Sequence, residues 1–522
     1  MPNTSGNNKL IAKNTLFLYF RMMLTMGISL YTSRVVLNTL GVEDYGIYNI
    51  VGGVIMIFGF LNSSMSGATS RFLTFELGRQ DYENLKKTFS AALIVHFIIA
   101  GIIFVLGETI GLWWLENKLV ILPERMNAAR WVYQLSIIST MISITQVPYN
   151  ATIIAHERMG VFAVIEIINK SLLLGIIFLV AINPFDKLIF YAILLLAVTF
   201  TIAMTYRIYC IKNFPESHFK YEWNKEIIKP MISFSGWNLY VDTSYFAKNQ
   251  GINIILNMFF GIILNAAYGI ANQVQGIVSS FVNNFLISAR PQIIKLYAEK
   301  QINQMQRLII NISKFSLILV FMVVFPLILE NKYILHIWLG KVPEYAVIFC
   351  QLTLTYSFFQ TMSGPITYAI FATGKIKFMS IITGTIYFLV LPVSYFLFKS
   401  GYSPSIPFIT NIILLIMGII INMIILKRLI SQFSIPDFIQ KSILPVFIVL
   451  AISLILPIWI HVSLSEGGKR FLLVCCSSVL VLCTASYFIA LNNAMRKKLN
   501  IFLIGLPVSI NNRLRMYLLN KK

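Results

Sequence analysis

The residues best equipped for chemistry lie in apolar surroundings. Arg21 sits inside a long hydrophobic run, with Asn14, Thr25, Ser29 and Thr32 on the same face at helical spacing. It is about 12 Å along a helix from Lys13, too deep to reach an interface easily, and a mid-membrane Arg costs roughly 2.5–3.5 kcal/mol on insertion scales. Such a cation either binds an anion or pairs with a carboxylate such as Asp242. A second stripe holds Ser235, Asn238, Asp242, Tyr245, Asn249 and Asn253, with Lys248 on the same helix. A third holds Asn265, Asn272, Gly276, Ser279, Asn283 and Arg290, and a fourth Asn49, Gly53, Ser63, Gly67, Ser70 and Thr74, with Arg71 close behind. Cations bind anions, and amides and hydroxyls bind sugars. The candidate substrate-binding residues are therefore Arg21, Arg34, Lys248, Asn238, Asn249, Asn272, Arg71 and Arg290. Asp242 and Glu166 are candidates for coupling to a proton or sodium ion. The plainer readings are helix–helix hydrogen bonding for the stripes, snorkelling for Arg34 and topology charges for Arg71 and Arg290. For the carboxylates, the plainer reading is pairing with a cation such as Lys170.

Positioning these residues requires many membrane spans. The 522 residues are 57% hydrophobic and only 12% charged, against about 25% charged in soluble domains. That excludes a soluble multidomain enzyme, a disordered chain and a disulfide scaffold. At about 20 apolar residues per crossing, the chain holds about fourteen spans, all helical because the runs are continuous rather than alternating. The five cysteines show no CxxC pair and the five histidines are scattered, so no metal site, catalytic centre or cofactor is expected. There is no phosphate loop, no HExxH and no loop long enough for a catalytic domain. The net charge of +22 is not interleaved with base-stacking aromatics, so no nucleic-acid partner is expected. Instead about 28 Lys and Arg lie on one side of the expected topology and about 9 on the other. That bias places both termini in the cytoplasm. Trp113, Trp114, Trp338 and Trp459 fall near the outer interface, as belt residues do.

The chain repeats itself at an offset of about 220 residues. Tyr45-Gly-Ile-Tyr-Asn matches Tyr268-Gly-Ile-Ala-Asn, Arg71 matches Arg290, and the Pro148–Ala155 segment matches Pro365–Ala372. The expected fold is all-α and integral to the membrane, with two parallel-repeat six-helix bundles plus two C-terminal helices. The expected divisions are 1–212, 213–430 and 431–522, the last carrying a basic tail. Two like bundles facing each other leave a central cavity that opens to either side by rocking. The polar stripes fall on helices that the repeat makes equivalent.

The segment Arg34-Val-Val-Leu-Asn-Thr-Leu-Gly41, with Asp44-Tyr-Gly-Ile-Tyr-Asn49, Gly67-Ala-Thr-Ser-Arg-Phe72 and Phe234-Ser-Gly-Trp-Asn238, resembles the bacterial polysaccharide-flippase family. These are the O-antigen-type members of the multidrug/oligosaccharidyl-lipid/polysaccharide exporter superfamily. The resemblance implies translocation of an undecaprenyl-diphosphate-linked oligosaccharide between leaflets of the bacterial cytoplasmic membrane, for cell-surface polysaccharide assembly. It implies cationic cavity residues engaging the diphosphate, with Arg21, Arg34 and Lys248 in that position here. Its partners are the lipid-linked substrate, membrane lipids, a proton or sodium ion and other polysaccharide-assembly proteins. A multidrug exporter of the same superfamily is the alternative. A membrane-embedded glycan polymerase or ligase would be expected to carry a large periplasmic loop, which is absent.

Overall fold

In lipid a backbone N–H finds no water, so each spanning segment must satisfy its own hydrogen bonds. The computed structural model follows that constraint. It describes residues 4–119, 121–182, 185–491, 493, 495–497 and 500, and these are helical with no strand among them. The basic tail residues Arg513, Arg515, Lys521 and Lys522 lie outside the described residues, as do the side chains of Lys9, Asn49 and Ser63.

Helix α1 (Thr4–Arg79) contains the first two expected spans, joined at Gly41, whose φ of 80° breaks the helical conformation. Next come α2 (Tyr82–Asn117), α3 (Met126–Ala155), α4 (Met159–Ile182) and α5 (Lys187–Asn213). Then follow α6 (Lys225–Phe260), α7 (Ile262–Ala298), α8 (Ile302–Leu329), the short α9 (Asn331–Leu339) and α10 (Ala346–Thr373). The chain continues through α11 (Lys377–Lys399), α12 (Ile406–Leu429), α13 (Ile435–Ser463) and α14 (Gly468–Ala490). Helices α2, α4, α5, α8 and α11 to α14 are apolar and long enough to cross a membrane by composition alone. The long helices that miss this criterion are α1, α3, α6, α7 and α10, and three of them carry the expected polar stripes. Pro148 and Pro365, equivalent in the repeat, both lie inside helices.

Two compact units are distinguished, each drawing on distant parts of the chain. One comprises Met1–Phe260, Ser279–Ile309 and Ser363–Phe433; the other Gly261–Val278, Ile310–Met362 and the chain from Ser434 onward. In the first, residues from α1 to α5 share a core that includes Leu73, Phe89, Tyr149, Ile177 and Tyr206. Tyr206 is wholly buried there. In the second, Glu330 is fully buried and accepts hydrogen bonds from His461 at 2.8 Å and Arg470 at 2.9 Å. Those bonds tie α13 and α14 to the end of α8, since a buried carboxylate left unpaired is strongly destabilising.

The Asp44 of the Asp-Tyr-Gly segment has a structural role in the first unit. Arg125, at the start of α3, donates to Asp44 at 2.5 Å and to Asp186 at 2.5 Å. Asp186 also caps α5, accepting from the backbone N–H of Leu188 and Ile189. Burial alone would push the Asp186 carboxyl up, but the Arg125 bond and the backbone donors outweigh it and hold the group below the usual carboxylate range. One guanidinium thus clamps three chain segments at one end of the bundle. Its stabilisation is present above the unfolded carboxylate value, about 3.9, and is lost as pH falls through the lower folded value. Arg125→Gln should cost about 2 kcal/mol and lower the unfolding temperature at neutral pH. Asp186→Asn should flatten the acid limb of a stability–pH curve below about pH 4. An unchanged melting temperature and an unchanged acid limb would remove the clamp from the account.

Candidate functional site: a polar seam closing one end of the bundle

The first polar stripe meets the last part of α7. Thr15 shares a hydrogen bond with Ser288 at 2.7 Å, and Tyr19 stacks on Phe281 with centroids 4.7 Å apart. Arg21 donates to Asn284 Oδ1 at 2.8 Å. The contacts run 15 to 288 and 21 to 284, so the two segments are antiparallel. Thr15 and Asn284 sit about three and four turns inside the helix ends, where a hydroxyl or amide needs a protein partner.

Arg21 is the deep cation of the seam. Its guanidinium lies over the Phe162 ring at 4.8 Å, and the charge of Glu166 acts on it. The Tyr206 hydroxyl donates to Glu166 at 3.2 Å. Among the described residues Arg21 makes no ion pair, and its Nε has no acceptor. The partner that sequence spacing suggested for Glu166, Lys170, is not bonded to it; Tyr206 is. Arg21, Asn284, Glu166, Tyr206 and Phe162 therefore form one polar cluster reached from α1, α4, α5 and α7.

Toward the helix ends the seam tightens. Glu157, in the turn between α3 and α4 with φ 59°, is 4% exposed. It accepts from Lys295 at 2.6 Å and from Gln292 at 2.5 Å. Arg71, also buried, donates to the carbonyls of Phe371 at 3.2 Å and Ala372 at 2.8 Å, in the last turn of α10. A cation at a helix C-terminus meets carbonyls that lack intrahelical partners. Gly374, at φ 75°, follows directly, and a Cβ there would stand 2.9 Å from the Arg71 guanidinium. Arg290 donates to the Gly67 carbonyl at 2.6 Å and lies over Tyr368 and Phe371. Gly78 lets α1 and α7 touch, since a Cβ there would lie 2.9 Å from the Ala298 Cβ. The repeat-equivalent arginines 71 and 290 are thus backbone-bonded seam residues, each reaching from residues 1–212 to residues 213–430 or back.

The remaining candidates lie elsewhere. Lys248 is 2% exposed, flanked by the Tyr245 and Tyr387 rings at 4.8 and 4.9 Å, and donates to Asn411 at 3.3 Å. Those partners come from α6, α11 and α12. Asn238 is the exception, buried at the seam beside Gly67 and Arg290; Asp242, Asn249 and Asn272 are half-buried, and Asn272 belongs to the second unit. Arg34 is exposed. The sequence reading missed Asn284, Ser288, Gln292 and Glu157. The first two adjoin the expected α7 stripe by one or two positions. Glu157 lies in a turn that no periodicity covers.

No family model and no curated protein matches the sequence. Solved structures do match the fold. A MATE transporter in its bent conformation superposes with a TM-score of 0.72 at 12% identity, covering 82% of this chain and 97% of that one. An outward-facing multidrug resistance MATE family transporter of the MOP superfamily gives 0.70 at 12% identity, covering 83% and 100%. A MOP superfamily transporter from Pyrococcus furiosus, described as having a binding pocket of reversed polarity that suggests a different function, gives 0.68 at 12% identity, covering 82% and 99%. The chain therefore has the fold of these MATE transporters, with a repeat arrangement like theirs.

The Glu157 contacts hold α7 against the α3–α4 turn. Removing the charge of Glu157 costs about 1.5–3 kcal/mol in charge-assisted hydrogen bonding, which is roughly tenfold or more in an opening equilibrium. In a background lacking the native cysteines, Ser288→Cys should react slowly with a hydrophilic maleimide. Adding Glu157→Gln should speed that reaction about tenfold. Equal rates would mean that Glu157 does not hold the seam shut.

Proposed function

We propose that this chain is an alternating-access transporter that moves an undecaprenyl-diphosphate-linked oligosaccharide from the inner to the outer leaflet of a bacterial cytoplasmic membrane, for surface polysaccharide assembly. It makes no covalent change to its cargo. Both termini lie in the cytoplasm, so the seam is the cytoplasmic closure. The observation that carries this reading is Arg21. It is a deep cation held by a neutral amide and an aromatic face, with a guanidinium nitrogen still lacking an acceptor. A diphosphate supplies the missing acceptors. When the seam parts, Arg21 loses Asn284, Arg290 loses the Gly67 carbonyl and Arg71 loses the α10 carbonyls. Those donors then face the cytoplasm, ready for an anionic head group. Asn238 and Asn249 supply sugar hydrogen bonds, with Arg34 at the far interface and Lys248 on the α6 stripe. Closure returns the arginines to protein carbonyls and displaces the cargo outward. Asp242 and Glu166 carry the coupling proton or sodium ion. Glu166 suits that role because it shares its surroundings with Arg21, so its charge state changes the hold of Arg21 on an anion.

A multidrug exporter is the second reading. The outward-facing neighbour is a multidrug resistance transporter, and carboxylates beside tyrosine rings suit organic cations. The Pyrococcus neighbour is described in terms of pocket polarity, and here the intramembrane cations favour an anion. The test is transport in vesicles. Arg21→Ala should lower flipping of the lipid-linked oligosaccharide at least tenfold with protein abundance near normal, and Arg21→Lys should retain part of it. Export of cationic dyes that is indifferent to Arg21→Ala, with no flipping by the parent, would establish the multidrug reading instead.

A further inference from the structure

A groove of about 760 Å³ opens where α1 begins, beside the α3–α4 turn, and it plays no part in the transport scheme above. Lys13, Asn14, Phe17, Arg158, Val164 and Tyr209 line it. Three features of this wall point to one kind of ligand. First, Lys13 and Arg158 are exposed cations that make no ion pair among the described residues. Second, Asn14 is only 3% exposed, yet its Nδ2 has no acceptor. A buried amide N–H left unmade costs about 1–3 kcal/mol, so the donor awaits an acceptor from the groove. Third, the other wall is apolar and faces outward: Phe17 is 38% and Val164 54% exposed. The Phe17 ring lies across the start of α4 beside Gly160, where a Cβ would make ordinary van der Waals contact with it.

The two carboxylates near the groove are compensated. Glu157 is taken up by Lys295 and Gln292, and Glu216 by His156 at 2.5 Å. The groove thus presents cations and an amide donor at its mouth and a hydrocarbon surface beside them.

We propose that this groove binds the phosphate head group of an anionic membrane phospholipid, with Lys13, Arg158 and Asn14 on the phosphate and an acyl chain along Phe17 and Val164. Every wall comes from α1, the α3–α4 turn, α4 and α5, all within residues 1–212. A lipid seated there stays on the periphery, whereas cargo must pass between the two repeats. That geometry favours a resident phospholipid over the transported species. Glu157 gives the site a consequence. If Lys295 withdraws, the bare Glu157 carboxylate faces the bound phosphate, and like charges repel. An occupied groove therefore favours the closed seam, and by linkage the closed seam favours occupancy.

The experiment is lipid titration of the purified full-length protein, read by native mass spectrometry, and it requires no transport. Phosphatidylglycerol should bind, and phosphatidylcholine of the same chains at least tenfold more weakly. Lys13→Gln with Arg158→Gln should weaken phosphatidylglycerol binding roughly tenfold or more, given the contribution of each basic residue at an anionic surface. Asn14→Ala should weaken it less, and a control pair, Lys118→Gln with Lys187→Gln, should leave it unchanged. Equal binding by the double variant, or equal binding of the two phospholipids, overturns the proposal. Stronger binding of a polyprenyl diphosphate at the same residues overturns it too, and makes the groove a docking place for cargo.

Discussion

A charge placed within about 30 Å of hydrocarbon must be met by protein or by water that protein admits. Much of this molecule's internal order follows from that constraint. Arg71 and Arg290 are met by backbone carbonyls, Arg21 by an amide and a ring, Glu157 by Lys295 and Gln292. Apart from the Phe162 ring over Arg21, each pairing joins a residue of the first repeat to one of the second. The cost of burying the charge is therefore offset only while that end of the molecule is shut. The same residues become solvated donors when it opens. A closure built from apolar packing alone would have no such second use.

The repeat explains why the arginines come as a pair. Arg71 and Arg290 hold equivalent positions at the ends of equivalent spans, and each reaches into the other repeat. The symmetry is incomplete. Arg71 reaches the end of α10, whereas Arg290 reaches back to Gly67, and the turn after α3 is held by Gln292 and Lys295 instead. Gly374 occupies the place where a side chain would strike Arg71, while its counterpart in the first repeat carries the acid Glu157. The two halves thus lock each other by different chemistry.

Fold class was legible in the sequence because hydrocarbon allows so few solutions. Long apolar runs and a 220-residue echo sufficed for helices and repeat. The stripes on α1 and α7 were legible as faces, because polar residues at helical spacing in lipid must point at protein. Their pairing was not. Asn284 and Ser288 meet α1, one residue beyond Asn283 and two before Arg290 of the expected stripe, offsets that packing decides. Lys248 was legible as a buried cation, but its neighbours were not: its ammonium lies between two tyrosine rings and an asparagine from three helices, two of them distant in sequence. Glu157 had no signal at all, since a lone acid in a turn reads as a solvated charge until the fold brings Lys295 to it.

The central claim is that the α1–α7 seam must part during each cycle. Gly78 and Ala298 test it directly, because a Cβ on Gly78 would lie 2.9 Å from that of Ala298, and a disulfide needs about 3.5–4.5 Å. In a background lacking the native cysteines, Gly78→Cys with Ala298→Cys should cross-link on oxidation once α1 and α7 ease apart by about 1 Å, because a Cβ on Gly78 would also stand 2.9 Å from the Lys295 backbone. Flipping of a lipid-linked oligosaccharide in proteoliposomes should then stop and return on reduction. Full-rate flipping by the quantitatively cross-linked protein would contradict the account.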